Sequence, residues 1–213
     1  MLKLILNKKY NPLFESDARY FIITGGRGSG KSFAATVFLT LLTMTKGIRI
    51  LFTRFTMTSA HLSIIPEFLE KIGLLGFEDV FSINKAEVLN TSNQSDILFR
   101  GIKTSAGNQT ASLKSLQGIS TWVLDEAEEL IDENIFDTID LSIREKDIHN
   151  RIILILNPVT KEHWIYDRFF ESKGVEGGFN GVKDNVCYIH STYLDNKDNL
   201  STSFLERIKS IKH

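Results

Sequence analysis

Residues 25–32 read Gly-Gly-Arg-Gly-Ser-Gly-Lys-Ser, preceded by the apolar run Tyr20-Phe21-Ile22-Ile23 and followed by Phe33-Ala34-Ala35-Thr36-Val37-Phe38-Leu39. A G-x-x-x-x-G-K-S loop between a strand pattern and a helix pattern is a phosphate-binding loop in its required context. Glycines allow positive φ and let backbone N–H groups close on phosphate oxygens. The helix that follows turns its positive end toward the same point. On this pattern Gly25, Gly26, Arg27, Gly28, Ser29, Gly30, Lys31 and Ser32 form the cradle. Lys31 reaches the β- and γ-phosphates, and the Ser32 hydroxyl is a Mg²⁺ ligand. Arg27 either contacts the γ-phosphate in cis or points to solvent.

The rest of the chain alternates strand and helix patterns. Ile48-Arg49-Ile50-Leu51-Phe52-Thr53 follows Gly47 and predicts a second strand. Leu62 to Leu75 carries Ile65, Phe68, Leu69 and Ile72 at helical spacing, with Pro66 placed near the start. Val88-Leu89-Asn90 and Asp96 to Arg100 flank the polar stretch Thr91 to Ser95, the pattern of a hairpin. Thr121-Trp122-Val123-Leu124 and Arg151 to Leu156 read as strands covered on both faces, separated by a helical stretch from Glu128 to Arg144. Gly174 to Gly181 reads as a loop, and Ser203 to Lys209 as a short helix. This order predicts an α/β fold, a right-handed, doubly wound, mainly parallel sheet flanked by helices. Its ligand lies beyond the carboxyl ends of the strands.

Trp122-Val123-Leu124-Asp125-Glu126 puts two acids at the end of a buried strand, where an unpaired carboxylate is costly unless it serves a cation or a reacting group. This matches a Walker B strand, with Asp125 holding Mg²⁺ directly or through water and Glu126 as general base toward the attacking water. The competing assignment is a helix start, since Asp favours the N-cap and acids favour the first turn. Asn157 ends the run Ile152 to Leu156 and is held extended by Pro158. Its amide is placed to touch the γ-phosphate or the attacking water, or it belongs to an ordinary Asn-Pro turn.

Composition narrows the class. The 213 residues, 42% of them apolar and 24% charged, suit one main domain. With 25 basic and 26 acidic side chains, no overall electrostatic signature points to nucleic acid, so any DNA contact is local or shared among subunits. Cys187 is the only cysteine, which excludes an internal disulfide and a cysteine-based metal site and fits a reducing setting. It reads as a small core side chain in Val186-Cys187-Tyr188-Ile189. No apolar stretch reaches bilayer length, and the opening Met1 to Leu6 gives way to Asn7-Lys8-Lys9, so neither an anchor nor a signal peptide is expected. His61, His149, His163 and His190 show no metal-ligand spacing, and Asp195 and Asp198 sit in a polar run that suits turns.

With Gly-Gly-Arg-Gly-Ser-Gly-Lys-Ser, Trp-Val-Leu-Asp-Glu-Ala and Leu-Asn-Pro in this order, the chain resembles the N-terminal ATPase domain of tailed-phage terminase large subunits, the double-stranded DNA packaging motors. Phe99-Arg100-Gly101, Lys114-Ser115-Leu116-Gln117-Gly118 and Thr192-Tyr193-Leu194-Asp195-Asn196 add to the likeness, which runs from about Tyr20 to Lys209. The resemblance implies a P-loop NTPase fold of the ASCE/RecA-like type. It further implies ATP in the loop from Gly25 to Ser32, Mg²⁺ on Ser32 and Asp125, catalysis by Glu126 with Lys31 and Arg27, and a coupling role for Asn157. A basic residue from a neighbouring ring subunit can complete such sites. Lys114 stands where many members have arginine, and Arg100, Arg144 and Arg151 are other candidates. By the same resemblance, the partners are double-stranded DNA, the portal protein, the small terminase subunit and further copies of the chain in a ring. The place of action is the cytoplasm of the infected bacterial host, outside the mature virion. Residues 1–190 form the ATPase domain. Residues 191–213 lead toward a ribonuclease H-type nuclease that this chain is too short to contain. Tyr10 is placed near the adenine position but is expected to pack in the core. A helicase-like ATPase, and an assembly module that binds ATP without turning it over alone, are the competing functions.

Overall fold

The computed structural model describes residues 4–57, 60–104, 107–108, 113 and 116–211. After a short helix α1 (Pro12–Glu15), the chain runs β1 (Tyr20–Gly25), α2 (Lys31–Leu42), β2 (Arg49–Thr56) and α3 (Ala60–Leu75). The strands β3 (Phe81–Ile83), β4 (Glu87–Asn90), β5 (Asp96–Thr104) and β6 (Gly107–Asn108) come next. Strand β7 (Thr121–Asp125) is followed by α4 (Glu133–Asp140), β8 (Arg151–Leu156) and α5 (Trp164–Tyr166). The chain closes with β9 (Gly181–Lys183), β10 (Val186–Ser191) and α6 (Thr202–Ile211).

One sheet holds all the strands. Its centre is parallel in the order β5-β2-β7-β8-β1-β10, with β4 and β3 antiparallel on one edge, β9 antiparallel on the other, and β6 beside β5. Side chains alternate between two cores, as strand geometry requires. Phe21, Ile23, Phe52, Val123, Ile153 and Ile155 join Phe38, Leu39 and Phe68 on the face of α2 and α3. Ile22, Leu51, Trp122, Leu124, Ile152 and Leu154 join Phe136, Ile165 and Phe169 on the other. Every central strand thus serves two layers, which is why these strands read as continuous apolar runs rather than alternating ones.

Several local expectations change. Pro66 lies inside α3 rather than in its first turn, because the helix begins at Ala60, and it forgoes one intrahelical hydrogen bond. The helix expected over 128–144 is cut to α4, preceded by a 3₁₀ turn over Ala127–Glu129. Asp132 is the cause: its carboxylate accepts from the Asn134 N–H at 3.0 Å and caps a new start. The glycine-rich stretch contributes the edge strand β9 at its end. The hairpin of β4 and β5 forms as expected, with Val88 opposite Ile97, and the buried Cys187 lies in β10, its thiol pushed up by burial to about 11.

The strand order fixes the site. Because β8 lies between β1 and β7, the carboxyl ends of three adjacent parallel strands bring the glycine loop, Asn157 and Asp125 side by side.

Candidate nucleotide-binding and hydrolysis site

The loop after β1 takes the shape its glycines permit. Gly28 and Gly30 have φ of 78° and 83°, a left-handed conformation that a Cβ disfavours. Lys31 and Ser32 open α2, so the first free N–H groups of that helix face the loop. The loop is held from below by Tyr10, whose hydroxyl lies 2.6 Å from Ser191 Oγ and donates to the Ser29 carbonyl at 3.1 Å. Tyr10 is 2% exposed, so it packs as core rather than as a stacking face. Ser29 is buried too, and its Oγ has no hydrogen-bond partner among the described residues. Arg27 is exposed.

Residues beyond β10 pack on the loop's outer side. Thr192 and Asp195 form a capping box, Asp195 pairs with Lys9 at 2.8 Å, and Asn196 Nδ2 donates to the Gly28 carbonyl at 2.9 Å. A Cβ on Gly28 would come within 2.8 Å of the Phe204 ring, so α6 lies directly over this glycine. Asp195 therefore acts as a turn former. Among the described residues no group of three or more His, Cys, Asp or Glu side chains is arranged to hold a metal. A cleft of about 700 Å³ opens beside the loop between Leu6, Tyr10, Ser29, Phe33 and Asn196.

At the end of β7, Asp125 is buried and Glu126 is partly exposed. Glu126 has a left-handed backbone (φ 54°, ψ 46°), an uncommon and costly conformation for a residue with a side chain. Burial raises its carboxyl above the usual range, opposed by Arg54. Arg54, from the end of β2, donates through Nε to Asp125 Oδ2 at 2.8 Å, and its Nη2 lies 2.6 Å from the same oxygen. The buried Asp125 carboxylate and the Ser32 hydroxyl are the hard oxygen donors Mg²⁺ takes when nucleotide phosphates and water fill its remaining positions. The residues therefore fit that ion.

Asn157 links the two motifs. Lys31 Nζ donates to its Oδ1 at 3.1 Å, while its Nδ2 donates to Glu128 Oε1 at 2.5 Å and its backbone N–H to Glu128 Oε2 at 3.2 Å. Burial lowers the Lys31 ammonium, and Glu128, Asp125 and Glu126 pull it back up. Arg54 and Glu128 were not singled out from the sequence. Glu128 carried a faint signal, an acid two residues past Glu126 in a segment that reads as helix. Arg54 carried none, because a strand-end arginine resembles any surface charge.

The candidate finger residues stand apart. Arg100, on β5, donates to the carbonyls of Phe99 at 2.7 Å and Ala86 at 3.3 Å. Arg151 begins β8, at the opposite end of that strand from Asn157, and Arg144 lines a separate cavity with Gln117 and Glu145. Lys114 lies outside the described residues.

A protein-family model described as "Phage terminase large subunit" matches residues 17–213. The terminase large subunit of Bacillus phage SPP1 is 25% identical over 232 residues, covering 100% of this chain and 51% of that protein. The chain thus spans about half the length of that curated relative. The fold resembles the large terminase of a thermophilic bacteriophage solved with ADP (TM-score 0.72, 13% identity, 95% of this chain and 49% of that one). It also resembles the large terminase ATPase domain of Thermus phage P74-26 (TM-score 0.65, 18% identity, 96% and 87%). Glycine loop, paired acids and strand order agree with a match that takes in nearly the whole sequence, and the chain belongs to the phage terminase large subunit family.

Proposed function

We propose that this chain is the ATP-hydrolysing motor domain of a terminase that moves double-stranded DNA into a procapsid. The observation that carries the reading is the convergence of Lys31, Asp125, Glu126 and Asn157 at the ends of three adjacent strands, with Lys31 already bonded to Asn157. In this assignment residues 25–32 cradle the phosphates, Lys31 and Arg27 counter charge on the γ-phosphoryl group, and the cleft beside Phe33 takes the base side. Ser32 and Asp125 would hold Mg²⁺, which when bound would supply positive charge against the charge that develops on the phosphate oxygens. Glu126 accepts a proton as the water oxygen bonds to the γ-phosphorus, and the bond to the β–γ bridging oxygen breaks with its electron pair leaving on ADP.

Asn157 is the coupling element. Glu128 grips it on one side and Lys31 on the other, so loss of the γ-phosphate would change what Lys31 holds and be felt at β8. Glu128→Ala is therefore expected to lower kcat about tenfold while leaving the ATP dissociation constant within about threefold, as a loss of positioning rather than binding does. Paired turnover and nucleotide-binding titrations check this.

The wider assignment follows the family. The chain works in the cytoplasm of the infected bacterium, as a ring with portal and small terminase subunits, and residues 1–190 form the motor while 191–213 lead toward a nuclease. A neighbour supplies the missing cation. Lys114 is the better candidate, since Arg100 is committed to backbone carbonyls. The test is ATP hydrolysis per subunit against protein concentration, with and without double-stranded DNA. The rate is expected to rise with concentration, because a finger in trans is worth about 10³ to 10⁵ in rate. A flat rate equal to that of Glu126→Gln, with ATP binding intact, would show a nucleotide-binding assembly module instead.

A further inference from the structure

Arg54 is the only cation, among the described residues, in an ion pair with both Walker B acids. Its Nε and Nη2 lie 2.8 and 2.6 Å from Asp125 Oδ2, and its Nε lies 3.6 Å from Glu126 Oε2. No other ion pair reaches Glu126 among the described residues.

The backbone beneath Arg54 is fixed. Thr53 stands opposite Leu124 in the β2–β7 register, which sets the next residue, Arg54, beside Asp125. The Thr53 hydroxyl donates to the Val123 carbonyl at 2.9 Å and accepts from Trp122 Nε1 at 2.9 Å, with all three residues buried. Glu67, on α3, lies close enough for its carboxyl to feel the charges of Lys71, Asp125 and Arg54. Arg54 therefore stands on a hydrogen-bonded, buried base with its guanidinium against Asp125 and Glu126.

Two adjacent carboxylates repel, and Glu126 adds a strained backbone and a side chain that is 46% exposed. A planar guanidinium offers several donors in a fixed fork and can engage two acids at once. We propose that Arg54 is a positioning residue of the hydrolytic site: it bridges Asp125 and Glu126 and sets the direction in which Glu126 presents its carboxylate to the attacking water. This rests on the ATPase reading above. Arg54 touches neither phosphate nor water in this role, so its loss falls on the transition state and spares the bound nucleotide.

The experiment measures binding of ADP, and of ADP with aluminium fluoride, to the parent chain, Arg54→Gln and Arg54→Lys, with Mg²⁺ present and melting temperatures recorded. Aluminium fluoride stands in for the γ-phosphoryl group in flight with its in-line water, so no turnover is needed. The parent is expected to bind the fluoride complex more tightly than ADP. Arg54→Gln is expected to bind ADP within about twofold of the parent and to lose at least ~tenfold for the fluoride complex. Arg54→Lys, which keeps the charge without the fork, should fall between and serves if the glutamine variant does not fold. Equal loss for both ligands, or loss for neither, overturns the proposal. A parent that binds ADP but gains nothing from fluoride, at a protein concentration where hydrolysis per subunit no longer rises, overturns it as well. A parent that does not bind ADP overturns the nucleotide site itself, and this proposal with it.

Discussion

Glu126→Gln is expected to bind ATP as the parent chain does and to lose hydrolysis by about 10³-fold, within the range that general-base catalysis supplies. The substitution keeps the shape of the side chain but removes the charge proposed to take the water proton. Binding is expected to survive because the proposed phosphate site is the glycine loop and Lys31, with which Glu126 makes no hydrogen bond or ion pair among the described residues. Single-turnover hydrolysis beside an ATP-binding titration separates the two effects. Hydrolysis at the parent rate would remove Glu126 from the mechanism and shift attention to Glu128, the acid of the following turn that accepts hydrogen bonds from Asn157.

Lys31→Ala is expected to weaken ATP binding by about 100-fold, equivalent to roughly 2.7 kcal/mol and the scale of one or two charged hydrogen bonds to phosphate. Lys31 is half-buried beside Asp125, Glu126 and Glu128, an environment with excess negative charge that its ammonium offsets. Removing it would take away the proposed phosphate contact and also the Lys31 donor to Asn157 Oδ1. The loss is expected to be larger for ATP than for ADP, since the lysine of such a loop is assigned to the β- and γ-phosphates. Calorimetric titration with both nucleotides reads the difference. An unchanged ATP affinity would place the nucleotide elsewhere.

The glycine loop and the paired acids were legible because their chemistry dictates local sequence. Glycine takes the left-handed backbone at Gly28 and Gly30 without the strain a side chain adds, and two carboxylates at the end of an apolar strand need a reason to be there. The central strands were legible because burial on both faces leaves an uninterrupted apolar run. What could not be read depended on contacts between distant segments. Arg54 acquires its partners only when β2 docks against β7, and 71 residues separate it from Asp125. The packing of Asn196 and Phe204 on Gly28 spans an even longer stretch, and nothing local in the connecting segment announces that these two side chains wall the loop. Asp132 was visible as an N-cap residue type. The left-handed turn at Glu126 that separates it from the strand was not, since nothing local requires it.

The most direct measurement is a crystal structure of this chain with Mg²⁺ and a slowly hydrolysed ATP analogue. The account predicts triphosphate density inside the loop of residues 25–32, with Lys31 on the terminal phosphates, the metal between Ser32 and Asp125, and Glu126 facing the γ-phosphorus. Nucleotide in another cavity, such as the one of about 260 Å³ bordered by Thr24, Phe170 and His190, with the glycine loop empty, would contradict it.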